Sequence, residues 1–281
     1  MTTRRSFLGA AAAAPAVLAA QGQAPALKGR LKQAATRGCF GRGKTLEQVA
    51  QEAAKLGLKG LDLIGPKDWP TLKKFGLIPT MAPAGGHSLP NGINDPANHA
   101  KAEAGVRQFI DEAAAAGAPN VIVLSGNRRG MSEEQGAENC ATFLNKVKAQ
   151  AEDKGVTICL ELLNSKVDHP DYQCDHTAWG VDVMKRVNSP RVKLLYDIYH
   201  MQIMEGDLIR TIKANIQYIG HFHTAGNPGR NEIDLSNQEI NYRPIALAIV
   251  EAGYTGYLAH EYSPKKDPLE SMAEAMRICD V

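Results

Sequence analysis

One cadence recurs along the chain: an alanine-rich amphipathic stretch ends in glycine, a few residues follow, and a short β-branched or leucine-rich run comes next. It runs as Glu47 to Leu56, Gly57, then Gly60 to Ile64; as Ala100 to Ala116, Gly117, then Asn120 to Leu124; as Cys140 to Lys154, Gly155, then Val156 to Glu161; and as Pro244 to Ala252, Gly253, then Gly256 to Glu261. Glycine directly after a helix suits the left-handed cap that ends it. Lys32 to Gly38, Ile78 to Met81, Val192 to Asp197 and Ile219 to His223 bring the strand candidates to eight. Eight strand-then-helix units in a chain of 281 residues match the order and length of a single α/β (β/α)8 TIM barrel. A doubly wound sheet is the alternative. It typically shows a glycine-rich phosphate turn after the first strand, which Gly38-Cys39-Phe40-Gly41-Arg42-Gly43 imitates only loosely as G-x-G-x-x-G, and the sequence has no G-x-S-x-G or H-E-x-x-H pattern.

Residues 1–26 stand apart. Arg4-Arg5-Ser6-Phe7-Leu8, a run of Ala, Val, Leu and Pro, and the small residues Ala24-Pro25-Ala26 read as a twin-arginine (Tat) export signal, so residues 27–281 form the expected mature barrel domain in the periplasm or outside the cell. Removing residues 1–26 takes away two arginines and no acid, and the formal charge falls from +2 to 0. No footprint for nucleic acid is visible in that balance. No other apolar run approaches the ~20 residues that spanning a bilayer needs, so the mature chain is expected to carry no membrane span. The five cysteines are odd in number and lack C-x-x-C spacing, which points to neither a disulfide framework nor a structural zinc site.

A TIM barrel puts its chemistry at the carboxyl ends of its strands. Four strand candidates end in a ligand-type residue: Thr157 to Glu161, Lys193 to Asp197, Ile219 to His223 and Tyr257 to Glu261. With side chains alternating at period two, Glu161, Cys159 and Thr157 share the inner face, as do Asp197 and Leu195. Three carboxylates and an imidazole converging on one poorly solvated mouth need a counter-charge, and a divalent cation supplies it. Mixed oxygen and nitrogen donors suit Mn²⁺ or Mg²⁺, with Co²⁺ or Zn²⁺ as alternatives. For any single residue, an acid that merely caps the next helix explains the pattern as well.

The stretches Tyr196-Asp-Ile-Tyr-His-Met-Gln202 with Glu205-Gly206, Ala225-Gly-Asn-Pro-Gly-Arg230 with Gln238-Glu-Ile-Asn-Tyr242, and Glu161-Leu-Leu-Asn164 resemble the hydroxypyruvate isomerase branch of the xylose isomerase-like TIM barrels. The likeness is specific over about residues 155–265 and weak before them. It implies isomerisation or epimerisation of a small hydroxy-carbonyl compound through an enediolate, with Glu161, Asp197, His223 and Glu261 as metal ligands and Glu161 and Glu261 as the facing acid/base pair. Related barrels are commonly dimers or tetramers, which implies a homo-oligomer acting on a sugar or hydroxy-keto acid. The chemistry of such a reaction asks for the same parts: a Lewis acid on the carbonyl and a carboxylate for the α-proton. His200 and Arg230 are candidates to hold substrate oxygens or a carboxylate, with Asn164, Lys166 and His87 behind them. His221 is expected one layer below the site, and His260 is expected to face outward.

Two departures bear on the substrate. Hydroxypyruvate isomerases tend to carry Gln where this chain has His223, as the ketose 3-epimerases do, and Val167 stands where epimerases carry a further glutamate. A ketose 3-epimerase or a periplasmic keto-sugar lyase is therefore the alternative activity. An AP endonuclease-like phosphodiesterase would need more histidines on the early strands than Leu61-Asp62-Leu63 offers, and a non-catalytic sugar-binding barrel would hold metal and ligand without exchanging a substrate proton.

Overall fold

The computed structural model describes residues 27–281, so the twin-arginine segment read at 1–26 lies outside the described residues. Eight parallel strands run in the order β3-β2-β1-β8-β7-β6-β5-β4. They are β1 (Lys32–Thr36), β2 (Gly60–Asp62), β3 (Ile78–Met81), β4 (Asn120–Val123), β5 (Thr157–Leu162), β6 (Val192–Asp197), β7 (Ile219–Thr224) and β8 (Tyr257–His260). Closure between β3 and β4 rests on one residue past β3: Ala82 N donates to Asn120 O at 2.8 Å, and Ile122 N donates to Ala82 O at 3.1 Å. The TIM barrel expected from the cadence is thus the fold observed.

Around the strands lie α1 (Leu46–Leu56), α2 (Trp69–Lys74), α3 (His99–Ala116), α4 (Glu133–Lys154), α5 (Thr177–Val187), α6 (Ile198–Met204), α7 (Leu208–Asn215), α8 (Tyr242–Glu251) and α9 (Pro268–Cys279). The expected glycine caps are present on α1, α3 and α4, where Gly57, Gly117 and Gly155 take φ of +92°, +74° and +69°. The fourth helix differs from expectation at its start. It begins at Glu133, not at Cys140, because the Ser132 hydroxyl accepts from Gln135 N at 3.2 Å and Glu133 and Glu134 sit in the first turn, where the helix dipole favours acids.

The first strand is shorter than the span Lys32 to Gly38 expected for it. It stops at Thr36 because Arg37–Phe40 fold into a 3₁₀ turn that buries Cys39 and Phe40. Cys39 Sγ donates to His260 O at 3.2 Å and accepts from Tyr262 N at 3.3 Å, tying this turn to β8. All five cysteines are free and buried. No helix among the described residues is long and apolar enough to cross a membrane.

The alternation that places the site is visible where α5 meets the barrel. A Cβ on Gly180 would lie 2.9 Å from Leu194 and 3.4 Å from Leu162, so those two leucines face the helices. Their neighbours Leu195 and Glu161 therefore face the barrel axis, and they are also paired in register across β5 and β6. Asp197 pairs with His223 across β6 and β7. Glu261 lies one residue past β8, and its N–H donates to Thr224 O at 2.9 Å, extending the ladder by one bond.

Candidate functional site

Glu161, Asp197, His223 and Glu261 each bring one ligand atom into a group whose members all lie within 4.8 Å of one another. His223 Nδ1 is at the centre. It sits 2.8 Å from Glu261 Oε2, 3.5 Å from Glu161 Oε1 and 4.0 Å from Asp197 Oδ2. It is fully buried and none of these contacts is aligned as a hydrogen bond, so a ring nitrogen stands among carboxylates without a partner. Buried polar atoms without partners are rare and need a reason. A donor set of three carboxylates and one imidazole around such an atom fits a divalent cation.

Asp197 serves two purposes with two oxygens. Oδ1 accepts from His200 N at 3.1 Å and caps α6, while Oδ2 faces the cluster. Capping and ligation are therefore compatible at this residue.

Arg230 reaches the cluster from the loop after β7. Its Nη2 donates to Glu261 Oε2 at 2.8 Å and to Asp197 Oδ2 at 3.3 Å, and its guanidinium lies 5.7 Å from the Tyr199 ring centre. The loop bends sharply to aim it: Arg230 has φ +55°, Gly226 N donates to Asn231 O at 2.7 Å, and Ser263 N donates to Arg230 O at 2.9 Å. A left-handed conformation at a non-glycine residue costs energy that the surrounding bonds must hold in place.

These charges displace one another's protonation. Burial pushes the Glu161 carboxyl up, helped by the charges of Glu261 and Asp197. Burial would raise Glu261 too, but the charges of His223 and Arg230 outweigh it and hold that carboxyl well below the usual range. His223 is raised despite its burial, chiefly by Glu261 and by the bond to Asp62. Without a metal, then, the arginine and a protonated imidazole neutralise the carboxylates.

His200 is buried, and its two nitrogens are unequal. Asn164 Nδ2 donates to Nδ1 at 2.6 Å, with the Asn164 amide oriented by Val167 N and Asp168 N on its oxygen, which leaves the proton of His200 on Nε2. That Nε2 has no hydrogen-bond partner and lies 3.6 Å from Asp197 Oδ2. Burial and the nearby Arg230 keep the ring neutral by pushing its pKa well down. Asn164 thus holds His200 and the loop after β5. Lys166 donates to the carbonyls of Ile203 and Met204 at 3.1 and 2.8 Å, at the end of α6. His87 has both nitrogens engaged, Nδ1 with Gly85 O at 2.7 Å and Nε2 with Leu124 N at 3.1 Å. The structure therefore brings His200 and Arg230 to the four-residue cluster, and ties Asn164, Lys166 and His87 into loop bonds.

His260 bonds Thr224 Oγ1 at 2.8 Å and Gln33 Oε1 at 3.0 Å. His221 bonds Asp62, which the strand-end reading passed over. Leu61-Asp62-Leu63 carries the same signal as the later strands, an acid closing an apolar run, so applying the rule to β2 would have found it.

Carboxylates and an imidazole gathered at the carboxyl mouth give this TIM barrel a candidate metal site. The chain belongs to the xylose isomerase-like TIM barrel family, whose family model matches residues 50–279. A human relative named as a candidate hydroxypyruvate isomerase is 28% identical over 188 residues, covering 63% of this chain and 66% of that protein, so the chain spans just under two thirds of its length. A 2-oxo-tetronate isomerase of Haemophilus influenzae is 31% identical over 238 residues, covering 79% of this chain and 89% of that one. Among solved structures, one titled AP endonuclease, family 2, from Brucella melitensis superposes with a TM-score of 0.79 at 23% identity, covering 86% of this chain and 97% of that one. At that identity the likeness concerns the fold.

Proposed function

We propose that the protein is a metal-dependent isomerase of a small hydroxy-oxo acid or a related sugar, acting through an enediolate and as a homo-oligomer. The observation that carries this reading is the bare, buried His223 Nδ1 among the carboxylates of Glu161, Asp197 and Glu261. The names of two relatives, isomerases of hydroxypyruvate and of 2-oxo-tetronate, support the substrate class. Glu161, Asp197, His223 and Glu261 would hold one divalent cation, Mn²⁺ or Mg²⁺ by their oxygen-rich donor set, with Co²⁺ or Zn²⁺ as alternatives. When bound, it supplies Lewis-acid polarisation of a carbonyl group.

The remaining chemistry belongs to side chains. One of the two glutamates withdraws the proton from the hydroxyl-bearing carbon, and the electron pair moves into the new C=C bond as charge collects on oxygen. A proton then returns to the former carbonyl carbon, and the hydroxyl proton passes between the two oxygens, so no atom or electron is gained or lost. His200 Nε2–H is free to donate to a substrate oxygen, and the Arg230 guanidinium can pair with a substrate carboxylate. In D₂O with Mn²⁺, deuterium is expected to enter hydroxypyruvate, tartronate semialdehyde or a ketose, followed by NMR, and EDTA is expected to stop it. Exchange that ignores EDTA, or none across the panel with Mn²⁺ bound, would overturn the reading. Exchange at a single carbon of a ketose without carbonyl migration would place the enzyme among epimerases.

Export through residues 1–26 is part of the same proposal. Replacing Arg4 and Arg5 together by lysine should leave the full-length chain in the cytoplasm, whereas the unaltered chain is expected in the periplasm, shortened at its N-terminus. A cell fractionation blot that finds both forms equally distributed would remove the export reading.

A further inference from the structure

Beneath the four-residue cluster lies a second buried polar group, Asp62, His221 and His223, that the proposed chemistry does not use. Asp62 closes β2, on the far side of the barrel from β6, and is 1% exposed. Its Oδ2 lies 2.6 Å from His221 Nε2 and 3.0 Å from His223 Nε2, while its Oδ1 accepts the Thr80 hydroxyl. These are direct hydrogen bonds, so no ion fits between the carboxylate and either ring.

The protons in this group follow from its neighbours. Asn120 Nδ2 donates to Thr80 O at 2.9 Å and faces His221 Nδ1 at 3.4 Å, with Cys159 Sγ near the other end of the amide, 3.9 Å from Oδ1. His221 Nδ1 therefore accepts, its proton sits on Nε2, and that Nε2–H donates to Asp62. The carboxylate has no proton to give and is left to accept from His223 Nε2 as well. A neutral imidazole with its proton on Nε2 has its lone pair on Nδ1, and Nδ1 is the nitrogen that faces Glu161, Asp197 and Glu261.

We infer that Asp62 is a positioning residue for the candidate metal centre, fixing His223 so that Nδ1 presents its lone pair to the carboxylates, with His221, Thr80 and Asn120 fixing Asp62 in turn. The inference rests on the metal reading above and deepens it. Asp62 cannot act on a substrate directly, because it is buried below His223 and all its contacts are internal. Its effect has to pass through the ring. Partners that orient a ligating histidine typically change metal affinity by about 10- to 100-fold when removed.

Asp62→Asn isolates the effect with little change in volume. The amide can still accept from Thr80, but its NH₂ faces two imidazole N–H groups, and His223 must give up its orientation or its tautomer. By titration calorimetry with Mn²⁺, Asp62→Asn is expected to raise Kd by about 10- to 100-fold. In a His223→Ala background the same substitution is expected to change Kd by less than about twofold, because the coupling energy lies in that pair. A Kd unchanged by Asp62→Asn in the native background, or an equal loss in both backgrounds, would overturn the inference. Failure of the unaltered protein to bind Mn²⁺ would instead overturn the metal reading and this inference with it.

Should Asp62→Asn fail to fold, the unaltered protein still decides the matter. Loaded with diamagnetic Zn²⁺ and labelled with ¹⁵N at histidine, it is expected to show His223 with a low-field, slowly exchanging Nε2–H and an Nδ1 resonance moved by the metal. The reverse pattern, metal on Nε2 and the proton on Nδ1, would sink the assignment.

Discussion

Glu261→Gln and Glu161→Gln, each measured at saturating Mn²⁺, are expected to lower kcat for the hydroxy-oxo acid by about 10²- to 10⁴-fold, the usual worth of a placed general acid or base. Glutamine keeps the volume and one acceptor oxygen, so in Glu261→Gln the Arg230 guanidinium keeps a hydrogen-bond acceptor. It removes the charge and the proton acceptor. Saturating metal matters, because each glutamate is also a proposed ligand and a loss of cation would masquerade as a loss of base. The double variant should be little worse than the poorer single one, since groups that act as a unit are not additive. Deuterium exchange and turnover should fall together. A Glu261→Gln enzyme within about tenfold of the unaltered rate would take the proton-transfer role away from that residue, however well it bound Mn²⁺.

The sequence made this cluster legible because period-two alternation and a strand-end rule are local. Thr157-Ile-Cys-Leu-Glu161 and Lys193-Leu-Leu-Tyr-Asp197 state which face each acid takes before any tertiary contact is known, and Leu162 and Leu194 do face α5 as that parity requires. What stayed hidden depends on contacts made across the barrel. Asp62 and His223 are 161 residues apart in the chain, and no local pattern announces their hydrogen bond. The early end of β1 was hidden for the same reason: Cys39 turns inward toward His260 and Tyr262 from the opposite end of the sequence. Asn164 was legible as a polar residue near the site, but its task of holding His200 is set by loop geometry that spacing alone does not carry. The start of α4 was obscured differently, since its first turns are polar and only the Ser132 cap marks them.

Arg230→Ala tests how the carboxylates are kept together, and its largest effect is expected without metal. The guanidinium donates to both Glu261 and Asp197, so its loss leaves those carboxylates facing Glu161 with only His223 as a positive partner. Removing one member of a fully buried ion pair costs about 3–5 kcal/mol. The Arg230 side chain is 29% exposed, and solvent screening brings the expected cost to about 2 kcal/mol. For a domain of this size that lowers the thermal midpoint in EDTA by about 4–8 °C. Mn²⁺ should restore much of the loss, because a divalent cation supplies the charge the arginine took away, and 100 Kd of a ligand specific to the folded state adds about 2.7 kcal/mol. The same variant should raise KM for hydroxy-oxo acids by about 10-fold or more, the worth of one charge-assisted hydrogen bond, while neutral ketoses are affected less. Melting curves that coincide in EDTA would show that the guanidinium does not balance the cluster. Equal KM effects on acidic and neutral substrates would show that it does not recognise a carboxylate, and the two results are independent because one is read without substrate and the other with the metal site filled.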